Sequence, residues 1–322
     1  MWRIYKMKNT EKFINGYKLS REEALALYDA PLKDLMESAT AIRRATLSDT
    51  FDLCTIMRAK NGHCSEDCAF CVQSSLSKGH VELQKMVSEE EVLKSAKCAE
   101  SAGIGRFALV FAGRRLSKNK VEAVASIYRR LKEETDLHLC LSGGLLDLDE
   151  LAILKEAGLE RLHNNLETSR RYFPSICTTH SYDEKIQTIK DAQSLGIEVC
   201  SGGIFNIGET REDRVDLALN LRELGILSVP LNILSPMEGT PLANQIPLPE
   251  EEILRTVAVF RHILPTAYLR LAGGRQLLSK DGEATLNAGM NAAITGNFLN
   301  TRGAAESTDL QMIRRQNFTI TP

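Results

Sequence analysis

The sequence predicts an α/β fold, a closed (β/α)8 barrel of the TIM type preceded by N-terminal helices. Three observations carry this. From about residue 51, short β-branched runs alternate with stretches whose apolar residues recur at helical spacing. The alternation occurs eight times, and several helical stretches stop at a glycine, as a left-handed cap would. Strand, helix, strand in succession implies parallel pairing, and eight units favour closure over an open sheet.

Residues 1–49 read as an N-terminal helical extension, with Ser20 and Glu23 spaced as a capping box. The barrel should occupy 50–300. Its strands are expected in "DLCTIMRA", "RFALVFAG", "LHLCLSGG", "RLHNNLET", "EVCSGGIF", "LSVPLNIL", "AYLRLAGG" and "NAAITGNF". Helices are expected in "SEEEVLKSAKCAESAG", "NKVEAVASIYRRLKEET", "LDLDELAILKEAG", "SYDEKIQTIKDAQSLG", "REDRVDLALNLRELG" and "EEEILRTVAVFRHIL". Residues 301–322 form a C-terminal segment. No linker or low-complexity stretch divides the chain, so 1–322 is expected to be a single domain.

The 322 residues are 43% apolar and 25% charged, an ordinary balance for a chain that buries a core. A net charge of −2 with interspersed signs gives no footprint for nucleic acid or an anionic membrane. No run reaches the roughly 20 apolar residues of a membrane span, and the N-terminal residues lack a signal-peptide core. A cytoplasmic protein is expected. Eight cysteines in a chain of this length do not form a small secreted disulfide framework, and thiols clustered in a reducing compartment point to metal binding or catalysis.

Three of these thiols lie in "NGHCSEDCAFCVQSS", at Cys64, Cys68 and Cys71. A structural zinc site normally takes four ligands. His63 and His80 are available to complete one, so zinc stays open on the residues alone. Three thiolates in one loop also suit a four-iron cubane in which one iron keeps no protein ligand. The Cys-x3-Cys-x2-Cys spacing, with Phe70 before the third cysteine, resembles the signature of the radical S-adenosylmethionine (SAM) superfamily. The resemblance implies a 4Fe-4S cluster whose open iron chelates SAM, and reductive cleavage of SAM to methionine and a 5′-deoxyadenosyl radical. The loop follows the first strand, at the C-terminal barrel face where such sites are built.

Downstream, "HNNLETS", "CTTHSYDEKIQTI", "VCSGGIFNIGET", "VPLNIL", "GTPL", "LRLAGGR" and "GNFLNT" resemble, in order and spacing, the motifs of the biotin synthase family across residues 50–315. That family is homodimeric. It inserts sulfur between the C6 methylene and C9 methyl carbons of dethiobiotin, taking the sulfur from an auxiliary iron–sulfur cluster. Its electron donor is a flavodoxin or ferredoxin. Another radical SAM enzyme, of hydrogenase-maturation or mutase type, is the alternative, and a non-enzymatic metal-binding protein the more distant one.

Strand parity indicates a second site without the family. Side chains two apart share a face, so Cys140 aligns with His138 and Ser142, Cys200 with Glu198 and Gly202, and Arg106 with Ala108. Arg270, in mid-strand, needs an anionic partner if buried, and a thiolate-ligated cluster supplies one. A strand cysteine is otherwise a small apolar residue. By resemblance, Cys140, Cys200 and Arg270 match three of the four positions that hold the family's two-iron cluster. The fourth departs: where the family reads "RFC", this chain reads "RFA", with Ala108. Cys54, on the first strand at a position where the family commonly has serine, is the expected replacement. The auxiliary cluster is then 2Fe-2S or of a four-iron type, with Cys54, Cys140 and Cys200 as ligands and Arg270, with Arg106, close by. Cys98 on a helix and Cys177 after the fourth strand are expected to pack.

The resemblance further implies that Glu167, in place of the family's aspartate, accepts from the ribose hydroxyls of SAM. Phe70 and Gly203 would flank SAM, and Asn165 would serve both SAM and substrate. Asn165 and Asn232 would contact the ureido ring of dethiobiotin, an amide offering the donor and acceptor that ring requires. Asn300 and Thr301 would meet the substrate carboxylate. His163 stands where the family has asparagine, with no role assigned. Gly202, Gly203 and Gly208 lack the Gly-Lys-Ser/Thr continuation of a phosphate loop and instead suggest close backbone approach.

Overall fold

The computed structural model describes residues 11–60, 62–296 and 306–321. Eight parallel staves close into a barrel: β1 (Thr50–Lys60), β2 (Arg106–Phe111), β3 (His138–Ser142), β4 (Leu159–His163), a fifth stave of β5 (Glu198–Cys200) and β6 (Gly203–Phe205), β7 (Ser228–Ile233), β8 (Tyr268–Leu271) and β9 (Ala292–Thr295). Closure comes from β9 pairing with β1, Asp52 opposite Ala292 and Cys54 opposite Ile294. Each expected strand is present. The fourth starts two residues earlier than "RLHNNLET" and stops at His163.

The fifth stave is interrupted for a local reason. Cys200 pairs with Ser228 and Gly203 with Leu231, so the gap faces Pro230, which has no N–H to offer the ladder. Gly202 is required there, because a Cβ would stand 1.9 Å from the Pro230 carbonyl oxygen.

The helices start where their caps direct. Ser20, Ser88, Asp147, Ser181 and Thr210 each close a capping box with the acidic residue three positions on. Helices Leu148–Glu156 and Tyr182–Ser194 are followed by Gly158 and Gly196 at φ of +105° and +68°, the left-handed geometry that ends a helix.

The N-terminal helices Arg21–Ala26 and Leu32–Leu47 lie against helix Glu250–Ile263. Arg255 of the latter donates to the carbonyls of Tyr28 (3.0 Å) and Ala30. At the other end of the chain, helix Glu306–Arg315 leads to a strand the sequence had not suggested, β10 (Thr319–Thr321), which pairs in parallel with the first residues of β1. A buried bidentate pair holds this helix to the loop after β8: Arg275 Nη2 and Nη1 lie 2.7 and 3.0 Å from the Asp309 carboxylate.

The main apolar core lies between strands and helices, with Phe51, Leu53, Phe107, Leu109, Leu139 and Leu141 pointing outward into it. Their alternating neighbours face inward, and many are polar or sulfur-bearing, among them Asp52, Cys54, Arg106, Cys140 and Ser142, with Ala108 between them. Branched apolar residues normally fill such an interior in layers; here a cavity of about 320 Å³ remains.

Candidate functional site

The three-cysteine loop follows β1 and is docked by backbone and carboxylate contacts onto residues 176–180. Ala69 N donates to Ile176 O at 2.8 Å. Asp67 accepts from the backbone of Thr178 (2.8 Å) and Thr179 (3.2 Å), and from the Thr178 hydroxyl. Glu66 pairs with His180 Nδ1 at 2.5 Å and accepts from Thr179 Oγ1 at 2.9 Å. Within the loop, Cys64 N donates to Gln73 O at 2.8 Å and Cys71 N to Cys68 O at 3.1 Å.

The result is a cavity of about 260 Å³ lined by Cys64, Cys68 and Cys71 together with Phe70, Glu167 and Lys185. All three cysteines are free. Burial raises the thiols of Cys64 and Cys71. The hydrogen bond Cys68 donates to Cys177, with burial, raises Cys68; the same bond lowers Cys177 to about 4. His63 and His80, the side chains that would complete a zinc site with the loop, are exposed and do not line this cavity. The donor set fits a cluster held by three thiolates.

Below it lies the inner cavity, whose walls share Phe70, Cys71, Val110 and Ser142 with the outer one. Cys54, Cys140, Cys200, Arg106, Arg161, His163 and Arg270 all line it, with Ala108. Strand register explains the convergence: Cys54 stands opposite Arg106, Ala108 opposite Cys140, Cys140 opposite Arg161, and Cys200 opposite His163. The thiol absent from position 108 on β2 is present on the neighbouring stave, two residues before Ile56, which pairs with Ala108.

The cavity floor is built on Asp52. Its carboxylate lies 3.1 Å from Arg161 Nη1, 3.0 Å from Arg270 Nη2 and 3.9 Å from Arg106 Nε. Burial alone would raise the Asp52 pKa, but Arg270, Arg161 and Arg106 outweigh it and hold the carboxyl far below its usual range. Arg161 also pairs with the exposed Glu198 at 2.8 Å, so three guanidiniums face one buried carboxylate and one at the surface, and the positive excess that remains favours further negative charge nearby. Arg270 is 1% exposed. Its Nη1 donates to the carbonyls of Asp52 and Ala293 (3.1 and 3.0 Å) and reaches Cys54 Sγ at 3.3 Å. Its Nε and Nη2 make no aligned hydrogen bond. A buried Nε without an acceptor, positive charge and free thiols fit an anionic thiolate-ligated cluster.

The thiols differ. Burial pushes Cys54 up to about 12 despite Arg270, and raises Cys140 despite Arg106 and Arg161. Burial also raises Cys200, but its hydrogen bond with His163 and the charges of His163, Arg270 and Arg161 bring it down to about 6. Ser228 Oγ donates to the same sulfur at 3.3 Å. His163 stands opposite Cys200 in the pairing of β4 with β5 and lines the same cavity.

Around the junction of the two cavities, Asn165 accepts from Gly202 N at 3.0 Å and donates to Glu167 Oε2 at 3.3 Å. Glu167 adopts φ +69°, a conformation a side chain of this kind occupies only under constraint. Its backbone is pinned there by Glu167 N to Gly202 O (3.0 Å) and Ile204 N to Glu167 O (2.9 Å). Burial raises the Glu167 carboxyl against the charges of Lys185, His163 and His180. Gly203 permits this packing, since a Cβ would stand 2.4 Å from Glu167 O. Asn232 donates to Gly203 O (3.2 Å) and accepts from Gly273 N (2.9 Å), leaving a second lone pair and a second N–H for a ligand. Asn300 and Thr301 lie outside the described residues.

Sequence reasoning missed Asp52, Arg161, Cys177 and His180. Asp52 is two residues before Cys54 and shares its face, which parity could have shown. Arg161 is a mid-strand arginine like Arg270. The Cys-x2-His spacing of Cys177 and His180 was legible too; Cys177 packs in the core as expected, and its sulfur also sits 3.8 Å from Cys68 Sγ, a contact the sequence did not suggest. Cys98 lies on a helix outside the barrel, but it is exposed and does not pack as expected, because its position falls on the solvent side of that helix.

Two family models match this chain, that of the radical SAM superfamily over residues 60–221 and that of the biotin and thiamin synthesis associated domain over 230–319. Biotin synthase of Clostridium perfringens (strain 13 / Type A) is 48% identical over 310 residues, covering 96% of this chain and 97% of the relative. Biotin synthases of Clostridium botulinum (strain Hall) and Brachyspira hyodysenteriae are 45% and 46% identical, covering 98% and 96% of this chain and 99% and 93% of the relatives. Among solved structures, methylornithine synthase (PylB) superposes with a TM-score of 0.83 at 20% identity over 97% of both chains. The hydrogenase maturase HydG from Carboxydothermus hydrogenoformans superposes with 0.80 at 14% identity, over 99% of this chain and 80% of its own. These two share the fold. No helix among the described residues is long and apolar enough to cross a membrane. On sequence identity across nearly its whole length, with a three-cysteine loop opening onto a thiol-lined barrel, the chain belongs to the biotin synthase family of radical SAM enzymes.

Proposed function

We propose that this chain inserts sulfur between C6 and C9 of dethiobiotin, with Cys64, Cys68 and Cys71 holding the 4Fe-4S cluster that binds SAM. Cys54, Cys140 and Cys200, beside Arg270, hold the auxiliary cluster that supplies the sulfur. The observation that supports this best is the pair of contiguous cavities, one lined by the first thiol set and the other by the second. When bound, the cluster and SAM supply the one-electron chemistry that removes hydrogen from an unactivated carbon.

The residues of the chain orient and isolate. Asn165 and Asn232 keep a donor and an acceptor free at the cavity junction for a neutral ureido ring. Glu167, locked by its backbone contacts, offers an acceptor pair to the SAM ribose. Phe70 stands between the cavities, where its ring excludes water from the reacting carbon. Arg270, Arg161 and Arg106 neutralise the charge of the sulfur source. With three thiolates available and no arginine bond to iron required, a four-iron type of auxiliary cluster suits the ligand set. A homodimer, a flavodoxin or ferredoxin donor and the cytoplasm complete the reading on family grounds, and residues 1–49, 50–300 and 301–322 function as one unit.

The test is anaerobic incubation with SAM and reductant, with and without dethiobiotin. Substrate-dependent 5′-deoxyadenosine together with biotin is expected. Absence of both products, in a chain carrying its clusters, overturns the proposal.

A further inference from the structure

A fourth thiol, which the proposed reaction does not use, touches the three-cysteine loop. Cys68 Sγ donates to Cys177 Sγ at 3.8 Å, the one sulfur–sulfur hydrogen bond among the described residues. The backbones explain the contact. On one side of the pair, Ala69 N donates to Ile176 O at 2.8 Å. On the other, the Asp67 carboxylate accepts from Thr178 N and Thr179 N at 2.8 and 3.2 Å, and Asp67 N donates to Thr179 Oγ1 at 3.2 Å. Ala69 thus meets Ile176 while Asp67 meets Thr178 and Thr179, an antiparallel order that sets Cys68 opposite Cys177.

Residues directly opposite in antiparallel chains have Cα atoms about 4.5–5.5 Å apart, inside the roughly 4.4–6.8 Å that a disulfide spans. The two sulfurs have only about 1.8 Å left to close, which side-chain rotation supplies without moving the docked backbones. Glu66 fastens the same two segments through His180 Nδ1 at 2.5 Å and Thr179 Oγ1 at 2.9 Å, so their register is held by the protein's own contacts. Both thiols line the outer cavity. Cys68 is partly exposed there, whereas Cys177 is 3% exposed; a reagent entering the cavity meets Cys68 first, with Cys177 behind it.

We propose that Cys68 and Cys177 close to a reversible intrachain disulfide in the cluster-free chain, by exchange with a small disulfide such as oxidised glutathione. Cys68 attacks the reagent, releasing one glutathione thiol and leaving a mixed disulfide, and Cys177 then displaces the second glutathione. The two cysteine sulfurs are oxidised, the glutathione disulfide is reduced, and the two thiol protons end on the released glutathiones. A dithiol reductant reverses the exchange. The bond keeps Cys68 from oxidation to sulfinic and sulfonic acids. It also withholds that sulfur from iron, so that the SAM cluster is completed only after reduction. This last consequence rests on the assignment of Cys68 to the cluster under the proposed function; the disulfide itself does not.

The full-length, iron-free chain, equilibrated anaerobically in glutathione buffers of increasing oxidised fraction, tests the pair. Free thiols are alkylated and linked peptides are sequenced by mass spectrometry, with circular dichroism to check that each variant is folded. An intrachain bond from Cys68 to Cys177 should form and should disappear again with dithiothreitol. The double variant Cys64→Ala/Cys71→Ala should form it at the same buffer ratio. In Cys177→Ser, the ratio that half-converts Cys68 to any intrachain disulfide should shift by at least about tenfold, or 30 mV. Cys68 bonded mainly to Cys64 or Cys71, an unshifted ratio in Cys177→Ser, or no intrachain bond in the folded chain overturns the pair. The iron-replete chain, treated in the same way, should keep Cys177 as a free thiol until a chelator removes the iron. The bond formed beside an intact SAM cluster overturns the exclusion and removes Cys68 from the ligand set, whereas absence of biotin formation bears on the proposed function and leaves the disulfide result standing.

Discussion

Arg270 Nη1 lies 3.3 Å from the sulfur of Cys54, so a guanidinium from β8 and a thiol from β1 meet inside the barrel beside Cys140 and Cys200. Cys54→Ala should therefore remove the second cluster and leave the SAM cluster intact. Iron analysis and Mössbauer spectra of the reconstituted variant check this. Biotin formation should fall at least about 100-fold, the scale on which ligand-shell changes act, while uncoupled SAM cleavage persists. An unchanged second cluster would remove Cys54 from the ligand set.

Asp52 is the buried carboxylate placed among Arg106, Arg161 and Arg270, and the exposed Glu198 pairs with Arg161 alone. Asp52→Asn keeps the shape and leaves Arg106 and Arg270 without a carboxylate, Arg161 keeping Glu198, which should destabilise the cluster-free chain by about 3–5 kcal/mol. Denaturant titration with and without clusters gives the comparison, and the loss should be smaller in the loaded form, where the thiolate-ligated cluster supplies negative charge.

Gly203 is tied to the strained Glu167. In Gly203→Ala the added methyl meets Glu167 O and Leu217 Cδ2, at 2.4 and 2.6 Å before relaxation. Overpacking costs about 1–3 kcal/mol. Because the displaced group is the proposed ribose acceptor, equilibrium SAM binding should weaken roughly tenfold or more.

Asp309 is fully buried in the helix Glu306–Arg315 and bonded to Arg275. Asp309→Asn leaves a buried arginine without its counter-charge, and the C-terminal helix should detach at a cost of about 3 kcal/mol or more. Accelerated proteolysis near residue 306, with the barrel core still protected, would report it.

His262 gives the fold a pH dependence distant from the thiols. Its Nδ1 donates to Ala258 O at 2.8 Å, which leaves Nε2 to accept from Ser38 Oγ at 2.9 Å. Burial, reinforced by the charge of Arg261, lowers its pKa to about 4. The unfolded value is about 6.5, so between the two the unfolded chain binds more protons. Stability is then lost as pH falls from about 6.5 to about 4, by up to about 3 kcal/mol, with no further loss from this residue below that. His262→Gln should flatten that stretch of the stability profile.

The barrel was legible in the sequence because each of its elements is local. Periodicity of two or about 3.6, glycine caps and Ser-x-x-Glu boxes are properties of a few consecutive residues. The three-cysteine loop was legible for the same reason, its ligands falling within eight positions. Strand parity went further for Cys140 and Cys200, and the structure turns them toward one interior with Cys54, expected from the resemblance, and Arg270, expected from its mid-strand place. What parity could not supply was the stagger between staves. That register sets which inward residues share a level, and it decided that Cys54 stands opposite Arg106, that His163 meets Cys200 and that three arginines converge on Asp52. The contact of Cys177 with Cys68 spans more than a hundred residues and joins two irregular loops, where no period relates side-chain direction to position. Sequence by itself determined the fold and the three-cysteine loop; the tertiary structure alone decided the company those thiols keep, because that depends on packing between segments that carry no local record of each other.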